Sequence, residues 1–181
     1  MSRMFEPAVV LVLILALAGC QTAKEFTYRE STPVRISELH FAPSSEQGDL
    51  EFVEITNVTE SLVDLSRWAV TGAGRVVMPE GTVLGPGEAL VLCQDDARYK
   101  AVFPNARPPV AELPGKLKGA GETVRIEDAV GNVADEVVYD SADAEVAKAA
   151  GTGSSIHRVV GSSSPGRWQA ATPTPGTVPK S

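Results

Sequence analysis

Short apolar runs, broken at close intervals by turn residues, constrain this chain more than any other feature. They occupy Val34–Phe41, Leu50–Asn57, Arg67–Thr71, Arg75–Met78, Ala89–Gln94, Glu122–Asp128 and Val133–Tyr139. Thr123-Val124-Arg125-Ile126-Glu127 alternates, placing Val124 and Ile126 on one face, and Glu51-Phe52-Val53-Glu54-Ile55 does the same for Val53 and Ile55. A period of two is that of a half-buried strand. Only Asp96–Val102 and Ala142–Ala150 have helical character, and both are short. Seven strands within about 105 residues, closely spaced and turn-bounded, predict an all-β, antiparallel sandwich.

The turns support that reading. Leu84-Gly85-Pro86-Gly87 breaks the chain before Ala89, and Val130-Gly131-Asn132 reads as a hairpin joining the last two runs. In the first run Ile36 and Leu39 stand three apart, so the alternation fails near Ser37-Glu38. A bulge, or a strand crossing between sheets, would restore it. From Gly151 onward Gly, Ser, Thr and Pro dominate. Ser154–Val160 can supply one more edge strand, whereas Pro173, Pro175 and Pro179 exclude regular structure beyond Thr172 and point to a disordered end.

Upstream lies an unbroken apolar run from Ala8 to Ala18, closed by Gly19 and Cys20. Eleven helical residues span only about 16 Å, against about 30 Å of bilayer hydrocarbon, so the run is too short to stay as a span. Leu17-Ala18-Gly19-Cys20 resembles the lipobox of bacterial lipoproteins. That resemblance implies cleavage between Gly19 and Cys20, acylation of Cys20, and a membrane partner reached through acyl chains rather than a transmembrane helix. Gln21 is not the aspartate associated with inner-membrane retention, so the resemblance implies the outer membrane of a two-membrane bacterium. Gln21 to Pro33 is polar and aperiodic and reads as a tether.

The net charge of −7 argues against tight sequence-independent binding of nucleic acid, which needs clustered Lys and Arg. Cys20 and Cys93 are the only cysteines, so an acylated Cys20 leaves no intrachain disulfide. Cys93 ends an apolar run and reads as a small buried hydrophobe.

Taken in order, the motifs resemble the lamin-tail domain, an immunoglobulin-like β-sandwich. The resemblance is carried by Ile36–Pro43, Glu51–Asn57, Val63–Val70, Gly81–Glu88, Gly121–Ile126 and Val133–Tyr139. Ser155–Arg158, Trp168 and Thr174-Pro175-Gly176 look like the family's closing segment. One departure is Arg67, where the family commonly has glycine between serine and tryptophan. If that turn needs positive φ, arginine costs about 1 kcal/mol or more there.

No constellation predicts catalysis. His40 and His157 are the only histidines; His40 is expected to be solvated or at an edge, and no nucleophile elbow or metal-ligand spacing occurs. Asp95, Asp96, Asp128, Asp135, Glu136, Asp140 and Asp143 read as a solvated acidic face rather than a calcium loop. Asp135 is the exception, expected to satisfy backbone donors. Asn57-Val58-Thr59 matches a glycosylation sequon but reads as a turn in which asparagine tolerates left-handed backbone. Trp68, at strand spacing, is expected in the core. Trp168 either pins the tail to the sandwich or stays exposed, and an exposed Trp168 with Arg158 and Arg167 would be the best partner-binding patch.

The expected layout is a lipoprotein signal peptide over 1–19, a tether over 20–33 with lipidated Cys20, a lamin-tail-like sandwich over 34–176, and a disordered end over 177–181. The expected function is a lipid-anchored envelope protein whose sandwich is a non-catalytic interaction or architectural module, needing no cofactor or metal. Its partner would be an envelope macromolecule, with protein favoured. The alternatives are an accessory domain of an exported nuclease or phosphatase system, or a weak nucleic-acid or polysaccharide binder.

Overall fold

A computed structural model describes residues 32–159 and 167–177. The elements run β1 (Val34–His40), β2 (Phe52–Asn57), β3 (Val63–Asp64), β4 (Ala69–Gly72), β5 (Gly74–Val77), β6 (Val83–Leu84) and β7 (Ala89–Cys93). They continue with α1 (Asp96–Val102), β8 (Ala111–Glu112), β9 (Gly121–Glu127), β10 (Val133–Asp140), α2 (Ala144–Ala149), β11 (Ser155–Arg158) and β12 (Trp168–Ala171). One sheet has the order β12-β11-β1-β2-β7-β8 and a second β10-β9-β4-β5, with β3 and β6 forming a separate ribbon. All pairs are antiparallel except β7 with β8, which is parallel and departs from the expected all-antiparallel pattern.

The inward faces of the two sheets meet in a single core. Val53 and Ile55 of β2 and Ile36 and Leu39 of β1 pack in one cluster with Val124 and Ile126 of β9 and Val137 of β10. The alternation in the sequence thus selects the inward residues correctly. The outward face of the larger sheet is covered as well. Phe52, Val91 and Cys93 form a second cluster with Leu50, Tyr99 of α1 and Phe103. This is why β7 is buried along its full length, and β2 too although it carries Glu54, Thr56 and Asn57.

The broken period in β1 is a bulge, since its register against β2 shifts between Ile36 and Glu38. Both helices fall where expected, and each starts on an aspartate cap: Asp95 accepts the Arg98 N–H, and Asp143 accepts the Glu145 N–H. The hairpin between β9 and β10 closes through Asp128, whose carboxylate accepts the Val130 and Asn132 N–H groups at 2.9 and 2.8 Å. The turn at Arg67 does need positive φ, with a value of 62°.

Two expectations are corrected. Trp68 is half-buried at the edge of the core, because it sits in the turn before β4 rather than within the strand. Asn57 is buried, but its backbone is not left-handed. Its side-chain amide instead donates to the carbonyls of Ser61, Leu84 and Gly85, which also leaves no room for a glycan. The chain beyond Thr172 is irregular as expected, and Thr174 and Gly176 bond it to the sheet, with Pro175 buried. Residues 1–31, including Gly19 and Cys20, lie outside the described residues, as do 178–181.

Candidate functional site

Two buried polar assemblies draw on residues that the sequence brings to notice. The first lies on the outward face of the larger sheet, beneath residues 172–177. Glu38 and Glu54 are register partners on β1 and β2, both almost fully buried. Glu54 accepts the Ser37 hydroxyl at 2.6 Å and the Gly176 N–H at 2.8 Å. Glu38 accepts the Thr174 N–H at 3.1 Å, the Thr174 hydroxyl at 3.2 Å and the Ser155 hydroxyl at 2.5 Å. The closing segment has no ladder partner of its own, so these two carboxyls take up its backbone donors. Burial pushes the Glu38 carboxyl above its ordinary range, against the pull of the neighbouring His157. Burial likewise pushes Glu54 up to about 7.

Ser155, His157 and Glu38 bring a hydroxyl, an imidazole and a carboxyl together, which invites comparison with a hydrolase triad. The protons run the wrong way for one. Nε2 of His157 lies 3.0 Å from the Ser155 oxygen and 3.2 Å from the Thr172 carbonyl. A carbonyl only accepts, so Nε2 carries the proton and donates, leaving the serine to donate to Glu38. A triad needs that nitrogen bare to take the serine proton, with the acid on the other ring nitrogen. Ser155 is also fully buried. The cluster is a latch for the closing segment.

The second assembly joins the sheets. Asp135 of β10 accepts the Ile36 N–H, freed at the β1 bulge, at 2.8 Å, and the Arg158 guanidinium of β11 at 2.7 Å. Both side chains of the ion pair are almost fully buried. Burial pushes the Asp135 carboxyl up, opposed first by the Arg158 charge. The expectation that Asp135 serves backbone donors holds, although the donor belongs to the opposite sheet rather than to its own hairpin.

The patch of Trp168, Arg158 and Arg167 is therefore corrected. Trp168 is 6% exposed and donates its indole N–H to the Val138 carbonyl at 3.0 Å, pinning β12 to β10. Arg158 is committed to Asp135, and of the three only Arg167 is exposed. His40 is also corrected: it is fully buried, bonded through Nδ1 to the Leu50 carbonyl at 2.8 Å, and stacked near Phe52. Burial pushes its pKa down, so the ring is neutral. Cys93 is buried, and burial pushes its thiol up to about 12, which suits an inert packing residue. Asp95 and Asp128 are used by the helix cap and the hairpin. Among the described residues no group of three or more His, Cys, Asp or Glu could hold a metal ion.

Sequence reasoning missed Glu38 and Glu54. Glu54 stands in an alternating strand, where a polar residue reads as facing solvent, and Glu38 stands where the alternation of β1 breaks. The proline-rich tail that covers them carries no periodic signal.

A half-open cavity of about 340 Å³ lies at the end of the sandwich where β1 begins, lined by Thr32, Pro33, Trp68, Asp128 and Asn132. Among the described residues no helix is long and apolar enough to cross a membrane.

Two sheets closing over one core, with the larger sheet covered on its far side by α1 and residues 172–177, define an immunoglobulin-like β-sandwich. The chain belongs to the Lamin Tail Domain family, whose model matches residues 28–141. It is similar in fold to a DUF4876 family protein from Bacteroides thetaiotaomicron. The likeness covers 83% of this chain and 72% of that one, with a TM-score of 0.51 and 12% sequence identity. No curated protein matches the chain.

Proposed function

We propose that this protein is lipid-anchored in the cell envelope, in the outer membrane of a two-membrane bacterium. Its sandwich works there as a non-catalytic interaction or architectural module. Anchoring is supported by Leu17-Ala18-Gly19-Cys20 at the end of an apolar run too short to span. The observation that carries the non-catalytic reading is the fate of Ser155 and His157: both are spent on holding the closing segment, with the imidazole donating where a base would accept. Edge strand β5 offers main-chain groups to an extended segment of a protein partner.

Replacing Cys20 by Ala tests the anchor. We expect an unprocessed precursor or release into the soluble fraction; normal processing with unchanged carbonate-resistant membrane association would refute it. The wild-type protein should show no turnover of nuclease, phosphatase or esterase substrates with or without Ca²⁺ or Mg²⁺. Turnover abolished by Ser155→Ala or His157→Ala in a folded variant would make it an enzyme. Crosslinking in intact cells identifies the partner.

A further inference from the structure

The large exposed hydrophobic side chains are unevenly placed. Seven occur among the described residues, and five of them, Val58, Leu62, Val77, Val83 and Val130, belong to one end of the sandwich. The ladders fix that end. Val34 at the start of β1 pairs with Asn57 at the end of β2, and the Val58 N–H donates to the Pro33 carbonyl at 3.0 Å. Ala69 at the start of β4 pairs with Glu127 at the end of β9 and with Val77 at the end of β5. Leu62 precedes β3, whose Asp64 pairs with Val83. Val130 tips the β9–β10 hairpin, which shares the Trp68 cavity with Thr32 and Pro33. Leu62 is 72% exposed and Val130 84%, so neither is supporting the core.

This is also the end at which the chain arrives from Cys20. The thirteen residues from Gln21 to Pro33 reach at most about 45 Å. The opposite end, with the loop around Ser45, lies about one seven-residue strand length, or roughly 24 Å, farther from the point of attachment. We infer that this end of the sandwich rests on the bilayer that holds the anchor, with Leu62 and Val130 entering the headgroup region. The inference rests on the anchored reading above. Half-buried Trp68 suits the same level, since indole favours membrane–water interfaces. The charges at this end select the lipid. Glu60, Asp64 and Asp128 carry negative charge and Arg67 pairs with Glu80 at 3.2 Å, so this end has no excess of cations. A zwitterionic surface fits, and attraction to anionic headgroups contributes nothing.

The full-length lipoprotein, expressed with its own signal and reconstituted into phosphatidylcholine vesicles, provides the test. A fluorophore is placed on Leu62→Cys, Val130→Cys or Ser45→Cys, and the vesicles carry nitroxide-labelled lipid. Cys93 is buried and does not compete for label. We expect at least twofold greater quenching at positions 62 and 130 than at 45, and Leu62→Asp should reduce the quenching of a label at 130. Equal quenching at all three positions on an acylated protein would overturn the orientation and leave the anchor intact. An unmodified Cys20 in the intact mass would overturn the anchor and the orientation together.

Discussion

Arg67 shows how a single residue can record a local conflict. Its φ of 62° lies in the left-handed region, where a side chain costs about 1–2 kcal/mol. Its ion pair with Glu80 is mostly solvent-exposed and offsets little of that. Arg67→Gly should therefore raise stability by about 0.5–1 kcal/mol, measured as a higher urea midpoint at unchanged slope; a lower midpoint would show that the ion pair matters more than the backbone. The turn was legible because serine and tryptophan flank the position. The two tryptophans were legible only by spacing, and spacing misplaced Trp68 while leaving Trp168 open. The deciding contact, from the Trp168 indole to the Val138 carbonyl, links residues thirty apart. Nothing local to either residue signals it.

Among the elements, the strands that bury Glu38, Glu51 and Glu54 make stability depend on pH. Burial pushes Glu54 and Glu51 up to about 7 and also raises Glu38. An unfolded glutamate titrates near 4.3. Between about pH 4.3 and 7 the folded chain holds protons that the unfolded chain has released, so stability falls as pH rises through that window. His40 acts in the opposite sense. Its pKa is depressed by burial, so its contribution is lost as pH falls below about 6.5, where the unfolded ring protonates. Above that pH the effect of the three carboxyls outweighs what remains of the single histidine's. We expect a lower urea midpoint at pH 8 than at pH 6.5, worth roughly 1 kcal/mol, and a weaker dependence in Glu54→Gln. A midpoint that rises over this interval would contradict the buried, protonated carboxyls. Strands and helices were readable because each announces itself within a few residues. The two-residue strands β3, β6 and β8 were not, being too short to show a period. Neither were β12 and the two glutamates, whose role appears only when a proline-rich tail folds back over a distant ladder.

At the scale of the molecule the sandwich follows from pattern alone, because inward positions such as Val53, Val124 and Ile126 alternate in the sequence and meet in one core. Strand order does not follow. β1 lies between β2, its neighbour in sequence, and β11, which begins more than a hundred residues later. The bulge on β1 is satisfied by Asp135, and Glu38 by Ser155 and Thr174. A chain leaving the ribosome therefore carries its first strand half-paired until β11 has emerged. Nascent chains arrested at residue 150 should be cleaved by protease at least tenfold faster than the released full-length protein, and equal resistance would mean that β1 finds another partner early. Completion of the domain thus waits on β11 and the segment around Thr174, a timing that leaves the polypeptide threadable until they emerge.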